Sequence, residues 1–386
     1  MRPSRKLRIS PRESSGLALQ ERVYTRQPVE SPDSAKAMLL VEPRHLTCNR
    51  LPIKSVINGG WLAIEATGIS GADVQTWKGD RPDVVYPLVL GHQIVGRIAA
   101  TDDLQGFEVG TRVVVEPELR CGTCGRCRNG IGGCRSRLPV NSYGRLPSTV
   151  SPGLWGGLAE YLYLDPSARL YVVSDDISAE LATFVHPLAA GYTWAVELAD
   201  LKPGETVMVL GPGPRGLACV VAAMAAGAEW VGVSGLDVDS DRLAIAQKLG
   251  ANLTVNASTE DVAASVADHL GTRPDVVIDV TSDDPEAMFT ALDLVRSGGR
   301  VILASTKGNR PVQFFSDLIV TKQLTLRGAL GASSNAYDWA CDQVAVDARI
   351  DDLVSHQFPL TEAPRALQAA AGILGHDELI SVAVTF

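Results

Sequence analysis

The chain has 386 residues, 46% of them hydrophobic and 20% charged, enough to bury two or three domain cores; disorder is excluded for most of its length. A net charge of −9 argues against nucleic acid as a partner. The most apolar stretch, residues 217–228, falls far short of the ~20 residues needed to cross a bilayer, which argues against the membrane.

The first segment differs in kind from the rest. Arg2, Arg5, Lys6, Arg8, Arg12, Arg22 and Arg26 stand against Glu13, Glu21 and Glu30, and no apolar h-region accompanies them. Residues 1–34 therefore read as a basic disordered tail, not a secretory signal. From Ala35 the chain becomes short β-rich runs, at 61–66, 95–99 and 111–115, punctuated by Pro87, Gly91, Gly106 and Gly110. This predicts an irregular all-β region reaching about Pro187.

Within it lies Cys121-x2-Cys124-x2-Cys127-x6-Cys134, four thiols in a Gly-rich loop. Four sulfurs close a tetrahedral Zn²⁺ site and leave no open position for substrate, the pattern of a structural metal. An iron–sulfur cluster and a dithiol redox pair are the alternatives, but the prolines of ferredoxin loops are missing. Clustered cysteines also suit a reducing, cytoplasmic compartment better than a secreted disulfide scaffold.

The pattern then changes. An apolar run at 206–210 leads into Gly211-Pro212-Gly213-Pro214-Arg215-Gly216, followed by helical character over 216–227 and a further apolar run at 230–234. Ser240 caps a predicted helix through 248, with Gly250 placed to stop it. Strands at 253–255, 276–280 and 301–304 alternate with helices at 261–270 and 285–296, predicting βαβ units and a parallel sheet.

A GxGxxG means little alone; after a strand and opening a helix it is a dinucleotide fingerprint. Gly211 permits the tight turn, Gly213 leaves the pyrophosphate unobstructed, and Gly216 lets helix and strand pack. The free N–H groups of the helix start suit phosphate. Arg215 faces the pyrophosphate, the active site or solvent. At the end of the second strand, Asp237 is placed to accept from a ribose hydroxyl, which favours NAD. Gly235 leaves room for the extra phosphate of NADP, with Arg242 to meet it.

Taken together, Glu65-Ala66-Thr67-Gly68-Ile69, Leu90-Gly91-His92, the four-cysteine loop, Gly156-Gly157-Leu158-Ala159-Glu160-Tyr161 and Leu201-Lys202-Pro203-Gly204 resemble the medium-chain dehydrogenase/reductase superfamily, in its zinc alcohol dehydrogenase-like branch. The resemblance covers roughly residues 35–386, with a cysteine loop one residue shorter than usual. It implies a GroES-like β domain (35–187 and 332–386), an inserted Rossmann doubly wound domain (188–331), and a homodimer or homotetramer acting on a small molecule.

The chain departs from that family at the catalytic zinc. Where the family carries Gly-Ile-Cys-Gly-(Ser/Thr)-Asp and Gly-His-Glu, this chain has Gly68-Ile69-Ser70-Gly71-Ala72-Asp73 and Gly91-His92-Gln93, with His186-Pro187-Leu188 in place of Glu-Pro-Leu. Anionic ligands that would balance a +2 ion are gone, so a catalytic zinc is not expected; a site rearranged around His92 and His186 is the alternative. A metal-free reading makes His92 a proton donor whose charged form Asp73 favours. Under it, His186 shares that role or binds substrate, and Ser70 and Gln93 either orient a polar substrate group or merely fill the old pocket. Trp77, Tyr86, Tyr143, Trp155 and Tyr192 serve as substrate lining or as core. The expected function is an NAD(P)-dependent reductase of an activated C=C, C=N or carbonyl group. A zinc-dependent alcohol or polyol dehydrogenase and a non-redox lyase or scaffold are the alternatives.

Overall fold

A computed structural model describes residues 32–55, 58–102, 104, 106–128, 134, 142–282, 284–308, 310–375 and 379–386. Nearly all of the basic segment read as a tail lies outside the described residues. Contacts group residues from Ser31 to Phe386 into one unit.

The β-rich part is built around the strand Gly59–Ile69. It pairs antiparallel with Gln93–Asp102 on one side and with Val382–Thr385, near the C-terminus, on the other. The sheet runs His356–Pro359, Val382–Thr385, Gly59–Ile69, Gln93–Asp102, Arg112–Val115, Leu170–Val172, and Tyr161–Leu164 pairs with Gly59–Ile69 off this path. A smaller sheet orders His45–Pro52, Ser34–Glu42 and Leu88–Val89. Two apolar clusters fill this part. Trp77 belongs to one, with Tyr86 packed against it, and Tyr143 and Trp155 belong to the other.

The second sheet has six strands, all parallel: Leu253–Asn256, Trp230–Gly235, Thr206–Leu210, Val276–Asp279, Arg300–Leu303, Thr325–Gly328. Its central strands are apolar on both faces, as expected where helices cover both sides. In sequence order this is 3-2-1-4-5-6, the doubly wound arrangement. The order reverses between Thr206–Leu210 and Val276–Asp279, and ligands bind outside the carboxyl ends of strands at such a switch point. The predicted elements here agree with the structure to within a few residues at each end. Sequence patterning does not reveal the short edge strand Thr325–Gly328, whose residues are mostly exposed.

One helix links the two sheets. Val185–Tyr192 is almost wholly buried and continues through a wider π-helical turn, Thr193–Leu198. It packs on the first helix of the parallel sheet, Pro214–Ala225, and on Ser334–Val346. This places His186 and Arg215 on the same cleft, with Tyr337 buried against His186.

Candidate active site

The cleft has a volume of about 1260 Å³ and runs from Ser70 and His92 to the glycine turn and the end of the strand Trp230–Gly235. That exceeds the ~300–1,000 Å³ of a typical drug-sized site, leaving room for a dinucleotide and a second molecule.

The glycine turn is shaped for a dinucleotide. Gly211 has φ +100°, a conformation that side chains strain to adopt. A Cβ on Gly216 would stand 1.9 Å from the Gly211 carbonyl oxygen, so only glycine lets the helix start this close to the strand. Nothing lies within 4 Å of where a Gly213 Cβ would be, and Gly213 lines the cleft. Pro214 opens the helix without a side-chain cap, leaving its first N–H groups for a ligand.

At the end of the second strand the structure corrects the sequence reading. Asp237 does not line the cleft; its carboxylate accepts from the Asn256 side chain at 2.6 Å. The acidic residue facing the cleft there is Asp239, two residues further from the strand end than expected. It accepts from the Leu236 N–H at 3.1 Å and pairs with Arg242 at 2.9 Å. Gly235 lines the cleft. A Cβ there would meet Pro212 at 2.7 Å and Asp239 at 3.1 Å, so its role is close packing.

The other end of the cleft is organised by the helix Gly71–Lys78. Ser70 caps it, accepting from the backbone N–H of Ala72 (3.1 Å) and Asp73 (3.3 Å), and its own hydroxyl donates to Asp73 at 2.8 Å. Asp73 completes a capping box by accepting from the Ser70 N–H at 2.9 Å. Ser70 lines the cleft while its hydroxyl serves the helix cap. The sequence Ser-x-x-Asp carries that signal, overshadowed by the resemblance to a lost metal ligand.

The other Asp73 oxygen accepts from the Gly91 N–H at 3.1 Å, and His92 Nδ1 lies 3.2–3.3 Å from the carboxylate. Burial alone would raise this carboxyl; the His92 charge and the hydrogen bonds from His92 and Ser70 outweigh it and hold the pKa at about 2. Asp73 is thus a fixed anion behind His92.

The His186 ring stands edge-on to His92 with centroids 5.5 Å apart. Burial first, then the charges of His92 and Arg215, hold its imidazole well below the usual histidine range. Its Nδ1 is 2.5 Å from the hydroxyl of Tyr337, whose phenol burial pushes well up. Tyr337 lies 151 residues away in the chain, and no local pattern announces it. Gln93, 7% exposed, lines the cleft beside Gly68, and its amide has no hydrogen-bond partner among the described residues.

Phe184 is the sole Phe, Tyr or Trp lining the cleft among the described residues. Trp77, Tyr86, Tyr143 and Trp155 belong to the β cores, and Tyr192 packs on Trp339. Of the two readings of these aromatics, lining or core, the structure shows core packing.

The four cysteine sulfurs all lie within 4.8 Å of one another, with Cys121–Cys127 at 3.8 Å and Cys124–Cys134 at 3.9 Å. A tetrahedral Zn–S bond of 2.3 Å requires S···S of about 3.8 Å. Backbone N–H groups of Cys124 and Cys127 point at the sulfurs of Cys121 and Cys124. The cluster fits a structural zinc. Among the described residues no other group of three or more His, Cys, Asp or Glu side chains meets the geometry of a metal site. Around His92, Asp73 is committed to His92 and the cap and Ser70 to the cap, which leaves the imidazoles of His92 and His186 as the candidate metal ligands, both neutral.

A parallel sheet with a glycine turn at its switch point, opening on a cleft with a carboxylate–histidine pair, defines a dinucleotide-binding oxidoreductase. Comparison with known proteins gives the same class. Residues 61–175 match the alcohol dehydrogenase GroES-like domain, and residues 214–345 match the zinc-binding dehydrogenase domain. The chain is 38% identical over 339 residues to "Probable alcohol dehydrogenase adh" of Mycobacterium tuberculosis, covering 86% of this chain and 90% of that one. It is 30% identical to the D-arabitol-phosphate dehydrogenase of Enterococcus avium, over 78% of this chain and 83% of that one. An alcohol dehydrogenase structure from Thermotoga maritima superposes with a TM-score of 0.81 at 26% identity, covering 91% and 99% of the two chains. The chain belongs to the medium-chain dehydrogenase/reductase family, in its zinc alcohol dehydrogenase-like branch. It is an NAD(P)-dependent oxidoreductase of small molecules. No helix among the described residues is long and apolar enough to cross a membrane.

Proposed function

We propose that the protein transfers hydride between NAD(P) and an activated C=C, C=N or carbonyl group, or the corresponding reduced substrate, without a catalytic metal. The observation that carries this reading is the Asp73–His92 pair, with Ser70 spent on the helix cap. Bound nicotinamide supplies the hydride chemistry. Asp73 accepts from the His92 Nδ1–H, which leaves Nε2 for the substrate. His92 then gives a proton to the developing anion in reduction and accepts one in oxidation. His186, kept neutral and fixed by Tyr337, offers a hydrogen bond rather than a charge, and the Gln93 amide offers another.

Asp239 facing the cleft supports NAD over NADP, because a carboxylate accepts from a ribose hydroxyl and repels a phosphate. The exposed edge strand Thr325–Gly328, flanked by exposed Phe315, Val320 and Leu330, supports a homodimer or homotetramer.

The test combines metal analysis with kinetics on the purified enzyme. The expected result is one zinc per chain, with turnover that survives a chelator leaving that zinc in place. His92→Asn should lower kcat by about 10²–10⁴. Two zincs per chain, with activity lost on removal of the more labile one, would overturn the reading. A zinc-dependent alcohol or polyol dehydrogenase using His92 and His186 would then stand, a second reading that the 5.5 Å approach of the two rings favours.

A further inference from the structure

Five arginines line the same cleft as His92 and His186: besides Arg126 and Arg242, these are Arg81, Arg145 and Arg215. Arg81 follows the helix Gly71–Lys78, Arg145 comes from the turn beside Gly144, and Arg215 from the glycine turn. Arg145 Nη2 donates to Asp83 at 2.5 Å, and Arg81 Nε lies 3.8 Å from the same carboxylate. Arg145 Nε is buried and has no acceptor. Among the described residues Arg215 has neither a hydrogen bond nor a carboxylate within 4.0 Å; its guanidinium lies 5.5 Å from the Trp194 ring centroid.

The remaining carboxylates of the cleft are engaged elsewhere. Asp73 serves His92 and the cap, Glu118 lies 3.4 Å from Arg120, and Asp239 pairs with Arg242; Asp284 accepts from the Glu286 N–H and keeps its charge. Arg81 and Arg145 thus share one carboxylate, Asp83, while Arg215 has none within 4.0 Å among the described residues. Burial, first, holds Arg81 and Arg215 below the ordinary arginine value; a neighbouring guanidinium adds to this for each, and Asp73 acts against it. Guanidinium groups pair with planar and tetrahedral oxyanions through two parallel N–H···O bonds.

We infer that the substrate carries an oxyanion, a carboxylate or a phosphate, bound by Arg81 and Arg145 with Arg215 between that site and the nicotinamide. The inference rests on the hydride-transfer reading above for the identity of the cleft, and its test is independent of turnover. Full-length enzyme saturated with NAD⁺ or NADP⁺, which occupies the pyrophosphate site, is titrated calorimetrically with inorganic phosphate and separately with malonate. One saturable site per chain is expected for at least one of them. Tighter phosphate binding assigns a phosphorylated substrate, and tighter malonate binding a carboxylate. Arg145→Gln and Arg81→Gln should each weaken that binding about 10- to 100-fold, the weight of one charge-assisted contact. Arg50→Gln, on the exposed strand His45–Pro52, should leave it unchanged. Absence of binding by either anion at 50-fold above a roughly millimolar range, or equal binding in all three variants, would overturn the inference. Failure of the nicotinamide itself to bind would instead count against the oxidoreductase reading, so the two failures are distinguishable.

Discussion

Replacing Asp73 with Asn tests the electrostatic core of the site. The carboxylate is 2% exposed, so solvent screens it little. Its pKa falls from 3.8 to about 2 on folding, because the His92 charge and the hydrogen bonds from His92 and Ser70 overcome the cost of burial. That difference corresponds to ~2–3 kcal/mol favouring the folded anion. The contribution is fully present above pH 3.8 and disappears as pH falls through about 2. Asparagine keeps the shape and one acceptor, but its NH₂ must face either the Ser70 donors or the Gly91 N–H and His92. Two donors then oppose each other in a buried space, a cost of the same order. Urea midpoints of wild type and Asp73→Asn, both with zinc bound, should differ by ~2–3 kcal/mol from pH 6 down to about 4. The gap should close at lower pH as the wild-type carboxyl takes up its proton. A difference under ~0.5 kcal/mol throughout, or one that widens with acid, would refute the reasoning.

Cys127→Ser should take the zinc content from one per chain to none and lower the melting temperature, since three thiolates no longer close the tetrahedron; undiminished zinc by mass analysis would argue that the loop is held otherwise. Gly216→Ala places a methyl 1.9 Å from the Gly211 carbonyl and must push the helix from the strand, costing ~1–3 kcal/mol. It should also weaken nicotinamide binding at least ~10-fold in a fluorescence titration, and wild-type affinity would show that the turn tolerates the shift.

Much of this protein is written locally. The alternation of apolar runs with helical segments after Thr206 predicts the parallel sheet, because each strand and helix declares itself within ten or fifteen residues. The glycine turn and the cysteine loop are local for the same reason: their geometry is set by spacing along the chain, and both fold as that spacing dictates. Ser70 was equally legible as a cap, since Asp73 stands three residues on.

What the tertiary structure alone decided is which distant groups meet. Tyr337 reaches His186 across 151 residues, and Arg145 meets Asp83 across 62. Whether Asp237 or Asp239 faces the cleft turns on where a strand ends and a short helical turn begins, a difference of two residues that residue spacing does not resolve. The aromatic residues stayed undecided between lining and core for a related reason: a ring in the core and a ring in a pocket have the same sequence, and only packing assigns the volume each one fills.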